Sequence, residues 1–256
     1  MLTERFVALR AERRRALVCY VTAGHPDRSR SLALLRGLAG AGADVLELGV
    51  PFSDPVADGP VIQASSQRAL GQGMTLDAAL ELVAEAALDV PVVLFSYLNP
   101  ILAAGPAVLD RAQKAGVHGV LVTDLPVGAD AAREAWLGSG PLAYVRLVAP
   151  TTPQARMAEI AKHGRGFVYL ISRLGVTGMR NDIAASLPAT ITRLRAVCAL
   201  PICVGFGISQ PAQARTIGAL ADGIVVGSAL VQAAERSVDE AVTLTRQLRS
   251  ALDESR

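Results

Sequence analysis

The feature that most constrains the fold is a regular alternation of short apolar, β-branched runs with longer segments of helical spacing. The runs recur roughly every 25 to 30 residues, as repeated strand-helix units would. Eight runs are found, beginning at Ala16, Asp44, Val90, Gly119, Leu142, Phe167, Pro201 and Gly223. Eight such units in 256 residues predict a single domain over 1–256 with the (β/α)8 TIM-barrel architecture, and a doubly wound open sheet is the alternative.

Helical spacing separates the runs, and the predicted helices include 28–40, 76–87, 106–115, 129–136, 152–163 and 211–220. Segment 1–15 predicts an extra amphipathic helix before the first strand, in which we interpret Arg13, Arg14 and Arg15 as a solvated edge. In such a barrel, residues at and just after the carboxyl ends of the strands form the working face. Residues that precede the strands lie at the opposite, supporting end.

The composition excludes several classes of partner. Lys and Arg total 25 against 23 acidic residues, a surplus too small to favour nucleic acid or an anionic membrane. No apolar run approaches the roughly 20 residues that cross a bilayer, and the first residues lack the apolar region of a secretory signal. Cys19, Cys198 and Cys203 lie in apolar stretches typical of reduced thiols. We therefore expect a cytoplasmic protein without a disulfide framework.

The scarcity of lysine and histidine restricts the chemistry. Lys114 and Lys162 precede predicted strands, on the supporting end, which disfavours a Schiff base or pyridoxal phosphate carried by this chain. His118 and His163 lie on the same end, and His25 alone follows a strand, so the ligand set for a catalytic metal is missing. The chemistry is expected to depend on carboxylates, hydroxyls and backbone dipoles, with no metal.

Two carboxyl groups near the second strand are candidates for that chemistry. Alternation directs Leu46 and Leu48 toward the helices and Glu47 into the barrel near its mouth, where desolvation raises a carboxyl pKa toward the acid-base range. The alternative is a structural glutamate paired with an arginine. Asp58 follows eleven residues later and is either a second carboxylate over the mouth or a turn residue, the role that fits Asp54.

Glycine-bearing turns follow the last two predicted strands, GFGIS over 205–209 and VGSAL over 226–230. Glycine lets backbone N–H groups approach an anion, and a helix that begins there adds its positive end. The loops after strands seven and eight are the usual phosphate site of this fold, so the sequence predicts a phosphorylated substrate. The polar segment 171–182 is interpreted as a lid, or else as an ordinary long connection.

A longer motif carries a resemblance to a known family. ELGVPFSDPVADGPVIQ, over 47–63, is similar almost letter for letter to the signature of the tryptophan synthase alpha chain. YVTAGHPD, SYLNP, VTDLPV, SRLGVTG, GFGIS and VGSAL accompany it in the expected order. The resemblance extends from about residue 20 to about residue 230, close to the full chain.

The resemblance implies retro-aldol cleavage of indole-3-glycerol phosphate to indole and glyceraldehyde 3-phosphate, without metal or lysine. It implies that Glu47 protonates C3 of the indole and takes the proton from the glycerol hydroxyl. It also implies that Asp58 accepts the indole N–H and stabilises positive charge on the ring, and that Thr177 of the lid bonds to Asp58 on closure.

The resemblance further implies two sets of binding residues. The phosphate set comprises Gly178, Gly207, Gly227 and Ser228. The residues around the indole and the glycerol chain comprise Tyr20, Phe95, Tyr97, Leu121, Tyr169 and Phe206, for each of which an ordinary core position is the alternative.

The same resemblance implies a partner. The family's alpha chain docks on a beta chain that holds pyridoxal phosphate, in a heterotetramer of two alpha and two beta chains, and indole passes through an internal tunnel to react with serine. Asp54 and Pro55 occupy the loop that would meet the beta chain. Two alternatives stay open, a phosphate-using isomerase or epimerase barrel and a regulatory barrel that binds the phosphate without turnover.

Overall fold

The computed structural model describes residues 1–171, 186–205 and 207–254. Its centre is a closed barrel of eight parallel strands in chain order, in which the last strand pairs with the first. The strands are β1 (Ala16–Thr22), β2 (Val45–Gly49), β3 (Val92–Ser96), β4 (Val117–Val122), β5 (Ala143–Val148), β6 (Val168–Ile171), β7 (Ile202–Gly205) and β8 (Gly223–Val226). The predicted TIM barrel is confirmed, and the alternative of an open doubly wound sheet is wrong.

Helices surround the barrel. They are α1 (Leu2–Ala11), α2 (Arg28–Gly40), α3 (Pro60–Gly71), α4 (Leu76–Ala86), α5 (Leu98–Ala103), α6 (Val108–Lys114), α7 (Ala131–Ser139), α8 (Gln154–Lys162), α9 (Leu187–Arg195), α10 (Pro211–Gly218), α11 (Ser228–Arg236) and α12 (Val238–Asp253). Helix α2 has the predicted limits. The other predicted helices begin and end within a few residues of their predicted limits. Over the described ranges, no helix combines the length and apolar character that a membrane span requires.

The alternation of side chains along the strands separates two apolar clusters. Leu46, Leu48 and Val50 pack in the layer between strands and helices, whereas Val45 belongs to the cluster inside the barrel. Glu47 faces the same interior and stands beside Tyr20 of β1 in the strand register. The period of two that characterises a strand thus directs one carboxyl group into the barrel.

Helix α1 closes the amino-terminal end of the barrel. Its buried side chains Leu2, Phe6 and Leu9 join the interior cluster, and the ring of Phe6 lies 5.3 Å from that of Phe167. Gly166 makes this approach possible, because a Cβ atom there would lie 2.6 Å from Leu2 Cδ2. The extra helix is therefore a plug at the supporting end of the barrel.

Asp44 holds three elements together at that end. Its buried carboxylate accepts hydrogen bonds from Arg5 of α1 at 2.6 Å, from Arg249 of α12 at 2.9 Å and from the backbone N–H of Leu17 at 2.9 Å. Charge-assisted bonds of this kind are the stronger ones in proteins. Asp44 therefore joins the plug helix, the first strand and the last helix.

The three consecutive arginines differ in their surroundings. Arg13 is exposed, as expected of a solvated edge, whereas Arg14 and Arg15 are half-buried. Arg14 lies 3.7 Å from the Asp44 carboxylate. The predicted solvated edge therefore holds for Arg13 alone, because the other two side chains are partly removed from solvent.

We expect Asp44→Asn to lower the free energy of unfolding by roughly 3 kcal/mol, because Arg5 and the buried Arg249 both lose a charged partner and Arg249 keeps only the more exposed Asp253. Urea unfolding measures the change. The control is Asp77→Asn, which removes the exposed partner of Arg111 and is expected to cost less than about 1 kcal/mol. Equal effects of the two substitutions would contradict the role of Asp44.

Candidate active site

A cavity of about 280 Å³ opens at the carboxyl ends of the strands. Its described wall combines strand residues, the starts of α3 and α11 and the loops after β7 and β8. The lining residues are Tyr20, Glu47, Asp58, Gly59, Pro60, Val61, Ile62, Phe95, Tyr169, Gly207, Ile208, Ser209, Gly227, Ser228 and Gln232. The structure therefore brings the two candidate carboxyl groups and the two glycine turns to one place.

Glu47 is a buried carboxyl group without a counter-charge in the described part of the chain. Its side chain is fully buried, and neither carboxyl oxygen has a hydrogen-bond partner there. Burial raises the pKa of Glu47 to about 8, because the charged form has lost its water. The described residues thus supply no arginine for the alternative of a structural ion pair, and Glu47 is protonated at neutral pH.

Asp58 lies on the loop after β2 and is half-buried. The hydroxyl of Tyr97 donates to Asp58 Oδ2 at 3.0 Å and accepts from the backbone N–H of Ala57 at 2.9 Å. Burial raises the pKa of Asp58 to about 6, and the bond from Tyr97 opposes part of that rise. Tyr97, at the end of β3, therefore holds the loop and supports the ionised form of Asp58.

The two carboxyl groups differ in charge between pH 6 and 8. Glu47, with a pKa near 8, keeps its proton there, and Asp58, with a pKa near 6, has lost its own. Two titratable groups whose surroundings separate their pKa values form a natural acid and anion pair. Within one cavity, Glu47 can donate a proton and Asp58 can stabilise a cation.

Aromatic rings form the apolar wall of the cavity. Tyr20 and Phe95 meet edge to face, with ring centroids 5.2 Å apart, and Tyr169 lines the same cavity. Two glycines leave room for the tyrosines, since a Cβ atom at Gly49 would overlap Tyr20 and one at Gly205 would overlap Tyr169. These glycines are needed for the close approach of a ring to the backbone.

Not every residue predicted for the pocket lies on the described wall. Leu121 is fully buried in the interior cluster, in register with Phe95, and does not line the cavity. Tyr97 does not line it either and reaches the site through its bond to Asp58. Thr177, Gly178 and Phe206 lie outside the described residues.

The glycine turns meet at the start of α11. Gly227 precedes this helix without a side-chain cap in the described part of the chain, and Ser228 is its first residue. Gly207 has a φ of +82° with open space where a Cβ atom would stand. Uncapped N–H groups and the positive end of a helix favour a bound anion. The arrangement can therefore hold a phosphate group.

The loop predicted to meet a partner is exposed beside the cavity. Asp54 is exposed and Pro55 is half-buried, and the neighbouring Val56 is 84% exposed. The backbone N–H of Asp58 donates to the carbonyl of Pro55 at 3.0 Å. The surface of the loop is thus connected directly to one of the two carboxyl groups.

Several lining residues are not among those that the sequence predicts. Gly59 to Ile62 begin α3, Ile208 and Ser209 follow β7, and Gln232 is one helical turn after Ser228 on α11. Pro60 at the first helical position was an available signal for the start of α3. The described wall contains neither lysine nor histidine, and no three His, Cys, Asp or Glu side chains converge among the described residues.

Comparison with known proteins gives one family. A family profile described as tryptophan synthase alpha chain matches residues 6–255. The chain is similar to the tryptophan synthase alpha chain of Gluconacetobacter diazotrophicus, at 47% identity over 93% of this chain and 88% of the relative. It is likewise similar to that of Laribacter hongkongensis, at 46% identity over 98% of both.

Solved structures of tryptophan synthase are also similar to this chain. Mycobacterium tuberculosis tryptophan synthase superposes with a TM-score of 0.91 at 35% identity, over 98% of this chain and 97% of that one. Tryptophan synthase subunit alpha of Legionella pneumophila gives a TM-score of 0.89 at 32% identity, over 99% and 98%.

The burial of Glu47 makes the stability of the folded chain depend on pH. Its pKa of about 8 in the folded chain exceeds the ordinary 4.5, so between these values the folded chain keeps a proton that the unfolded chain loses. The stabilisation is complete below pH 4.5 and is lost as pH rises to 8. We expect Glu47→Gln to match the parent near pH 4.5 and to exceed it at pH 8.5 by on the order of 3 to 5 kcal/mol.

Urea unfolding of parent and variant between pH 4.5 and 8.5 measures this difference. Glu81→Gln, which changes an exposed glutamate of α4, is the control and is expected to follow the parent at every pH. A constant difference between Glu47→Gln and the parent would contradict a protonated Glu47.

Proposed function

The chain belongs to the tryptophan synthase alpha chain family, and on that premise we propose that Glu47 and Asp58 together cleave indole-3-glycerol phosphate to indole and glyceraldehyde 3-phosphate. The family consists of lyases that act on this substrate. The observation that carries the proposal is that one cavity holds a protonated Glu47 and an ionised Asp58 at neutral pH.

The first proton transfer starts from the protonated Glu47. It gives its proton to C3 of the indole, and positive charge then spreads to the ring nitrogen. The N–H of that nitrogen donates to the carboxylate of Asp58, which stabilises the cation in a largely apolar cavity where charge interactions are strong. The bond from Tyr97 keeps Asp58 in place and ionised for this role.

The second transfer restores the proton of Glu47. The ionised Glu47 takes a proton from the hydroxyl on the glycerol carbon attached to C3, and that carbon becomes the aldehyde carbon as the C–C bond breaks. The electron pair of the broken bond returns to the ring and neutralises the cation. Glu47 ends protonated, as it began, which fits a pKa near 8.

Two parts of the cavity bind the substrate, the aromatic wall and the glycine turns beside α11. We assign the indole ring to the aromatic wall of Tyr20, Phe95 and Tyr169. We assign the phosphate to the backbone N–H groups around Gly207 and Gly227 and to Ser228 at the positive end of α11. Thr177, Gly178 and Phe206 complete these sets by family resemblance.

Membership of the family implies a beta-chain partner. We propose a heterotetramer of two alpha and two beta chains in which the partner holds pyridoxal phosphate and receives indole through a tunnel. The exposure of the loop that contains Asp54, Pro55 and Val56 supports this loop as the place where the partner binds. Because Asp58 follows directly on this loop, docking of the partner there can act on the active site. The cytoplasmic location expected from the sequence stays a prediction.

Indole release from indole-3-glycerol phosphate tests the function. We expect the purified chain to release indole and to do so faster with a tryptophan synthase beta chain added. Glu47→Gln removes the proton donor and Asp58→Asn removes the anion, and each is expected to lower turnover by at least about 10²-fold.

The control for these variants is Asp110→Asn, which changes an exposed carboxylate at the start of α6 and is expected to keep the parent rate. No release by folded parent chain, alone or with the partner, would refute the lyase function and favour a barrel that binds without turnover. Release of indole by the Glu47→Gln variant at the parent rate would refute only the role of Glu47.

The pH dependence follows from the same pair. The value of kcat/KM requires protonated Glu47 and ionised Asp58, so we expect a bell with limbs near pH 6 and pH 8. Tyr97→Phe removes the bond that lowers the pKa of Asp58, so the acidic limb is expected to move upward while the alkaline limb stays. Movement of both limbs together would contradict the separate assignments.

A further inference from the structure

Helix α11 connects the active site to a cluster of charged side chains at its other end. Its first residues, Gly227 and Ser228, and Gln232 one turn later line the cavity. Because α11 has only nine residues, it acts as a short rigid rod. Whatever fixes its last turn therefore also sets the direction of its first N–H groups.

The last turn of α11 is held by an arginine from another helix. Arg30 Nη2, on α2, donates to the carbonyl oxygens of Ala234 at 3.2 Å, Glu235 at 3.3 Å and Arg236 at 3.3 Å. Carbonyls at the end of a helix lack partners within the helix, and a cation there also favours the helix dipole. Arg30 thus anchors the backbone of the last turn.

Glu235 joins that last turn to α3 and lies beside the loop after β1. One carboxylate oxygen accepts from Arg68 Nη1 of α3. The other lies 3.0 Å from Nε2 of His25, a buried residue of the loop after β1. The function assigned above uses none of Arg68, His25 and Glu235, and none of the three lines the cavity.

Helix α3 leads back to the active site from the other side. It begins at Pro60, immediately after Asp58 and Gly59, and carries Arg68 on its last turn. Between the ends of the two helices, Ile62 of α3 and Val231 of α11 pack with Tyr20 in a small apolar cluster. The two helices therefore touch near the cavity and are tied together again by Glu235.

We propose that Glu235 is a positioning residue for the phosphate site: it ties the last turn of α11 to Arg68 of α3 and thereby aims the first turn of α11 at the phosphate of the substrate. This inference rests on the proposed function, because it takes the start of α11 as the phosphate site. It adds a mechanical link from that site to the helix that follows Asp58.

The predicted effect is selective. The side chains of Arg68 and Glu235 are each about half exposed, 46% and 47%, and exposed ion pairs contribute little to the stability of a fold. Glu235→Gln is therefore expected to fold like the parent. A small change in the direction of α11 displaces its first N–H groups, and binding of a positioned anion is sensitive to such displacement.

Direct binding to the full chain tests the proposal. We expect Glu235→Gln to weaken binding of glycerol 3-phosphate by about three- to tenfold and to leave binding of indole, which has no phosphate, unchanged. In turnover of indole-3-glycerol phosphate, with and without beta chain, KM is expected to rise while kcat stays within about twofold. The reversed pair, Glu235→Arg with Arg68→Glu, is expected to recover much of the loss.

The matched control is Glu240→Gln, which breaks the exposed pair between Glu240 and Arg236 at the same end of α11 without touching α3. Its affinity for glycerol 3-phosphate is expected to equal that of the parent. Parent-like affinity in Glu235→Gln, or an equal loss for indole and glycerol 3-phosphate, would overturn the positioning role.

The binding measurement separates this inference from the lyase function. If the parent binds glycerol 3-phosphate but releases no indole, the proposed function fails and the comparison of variants still decides the role of Glu235. If the parent does not bind glycerol 3-phosphate, the phosphate site at α11 and the positioning role are both wrong.

Discussion

Closure of the sheet is the constraint on which the other features depend. Pairing of β8 with β1 satisfies the backbone of every strand and leaves an interior that only side chains fill. Helix α1 seals one end of this interior, and Asp44 attaches the plug to the first strand and the last helix. The other end stays open as the cavity. A closed wall with one sealed end therefore leaves a mouth at the carboxyl ends of the strands, as the described residues show it.

Burial in that mouth determines the charge states of its carboxyl groups. Glu47 projects from the middle of a strand and is fully buried, so its pKa rises to about 8. Asp58 projects from a loop, is half-buried and accepts a bond from Tyr97, so its pKa rises only to about 6. Two residues of similar chemistry thus become an acid and an anion through their depth in the fold. The proposed retro-aldol cleavage uses both groups in one cavity.

The cavity also depends on helices that lie outside the barrel wall. Helix α3 follows the Asp58 loop, and α11 begins at the proposed phosphate site. Their apolar contact through Ile62 and Val231, and their common attachment at Glu235, join the two halves of the site. A partner that contacts the loop of Asp54 and Pro55 touches the chain just before α3 begins. Movement of that loop can therefore reach the phosphate site through packed and hydrogen-bonded contacts.

The sequence by itself determined the barrel, the inward direction of Glu47 and the place of the glycine turns, because these follow from periodicity and from local turn chemistry. Helices α3, α5, α9, α11 and α12 were not among the predicted helices, since their places are set by packing against the barrel. Tertiary structure alone decided that Tyr97 bonds to Asp58 across 39 residues, that Arg68 meets Glu235 across 167 and that Arg249 meets Asp44 across 205. It also placed Leu121 in the interior cluster and off the described cavity wall. Such contacts join residues far apart in the chain, and pairing of neighbouring strands or closure of the barrel brings them within reach.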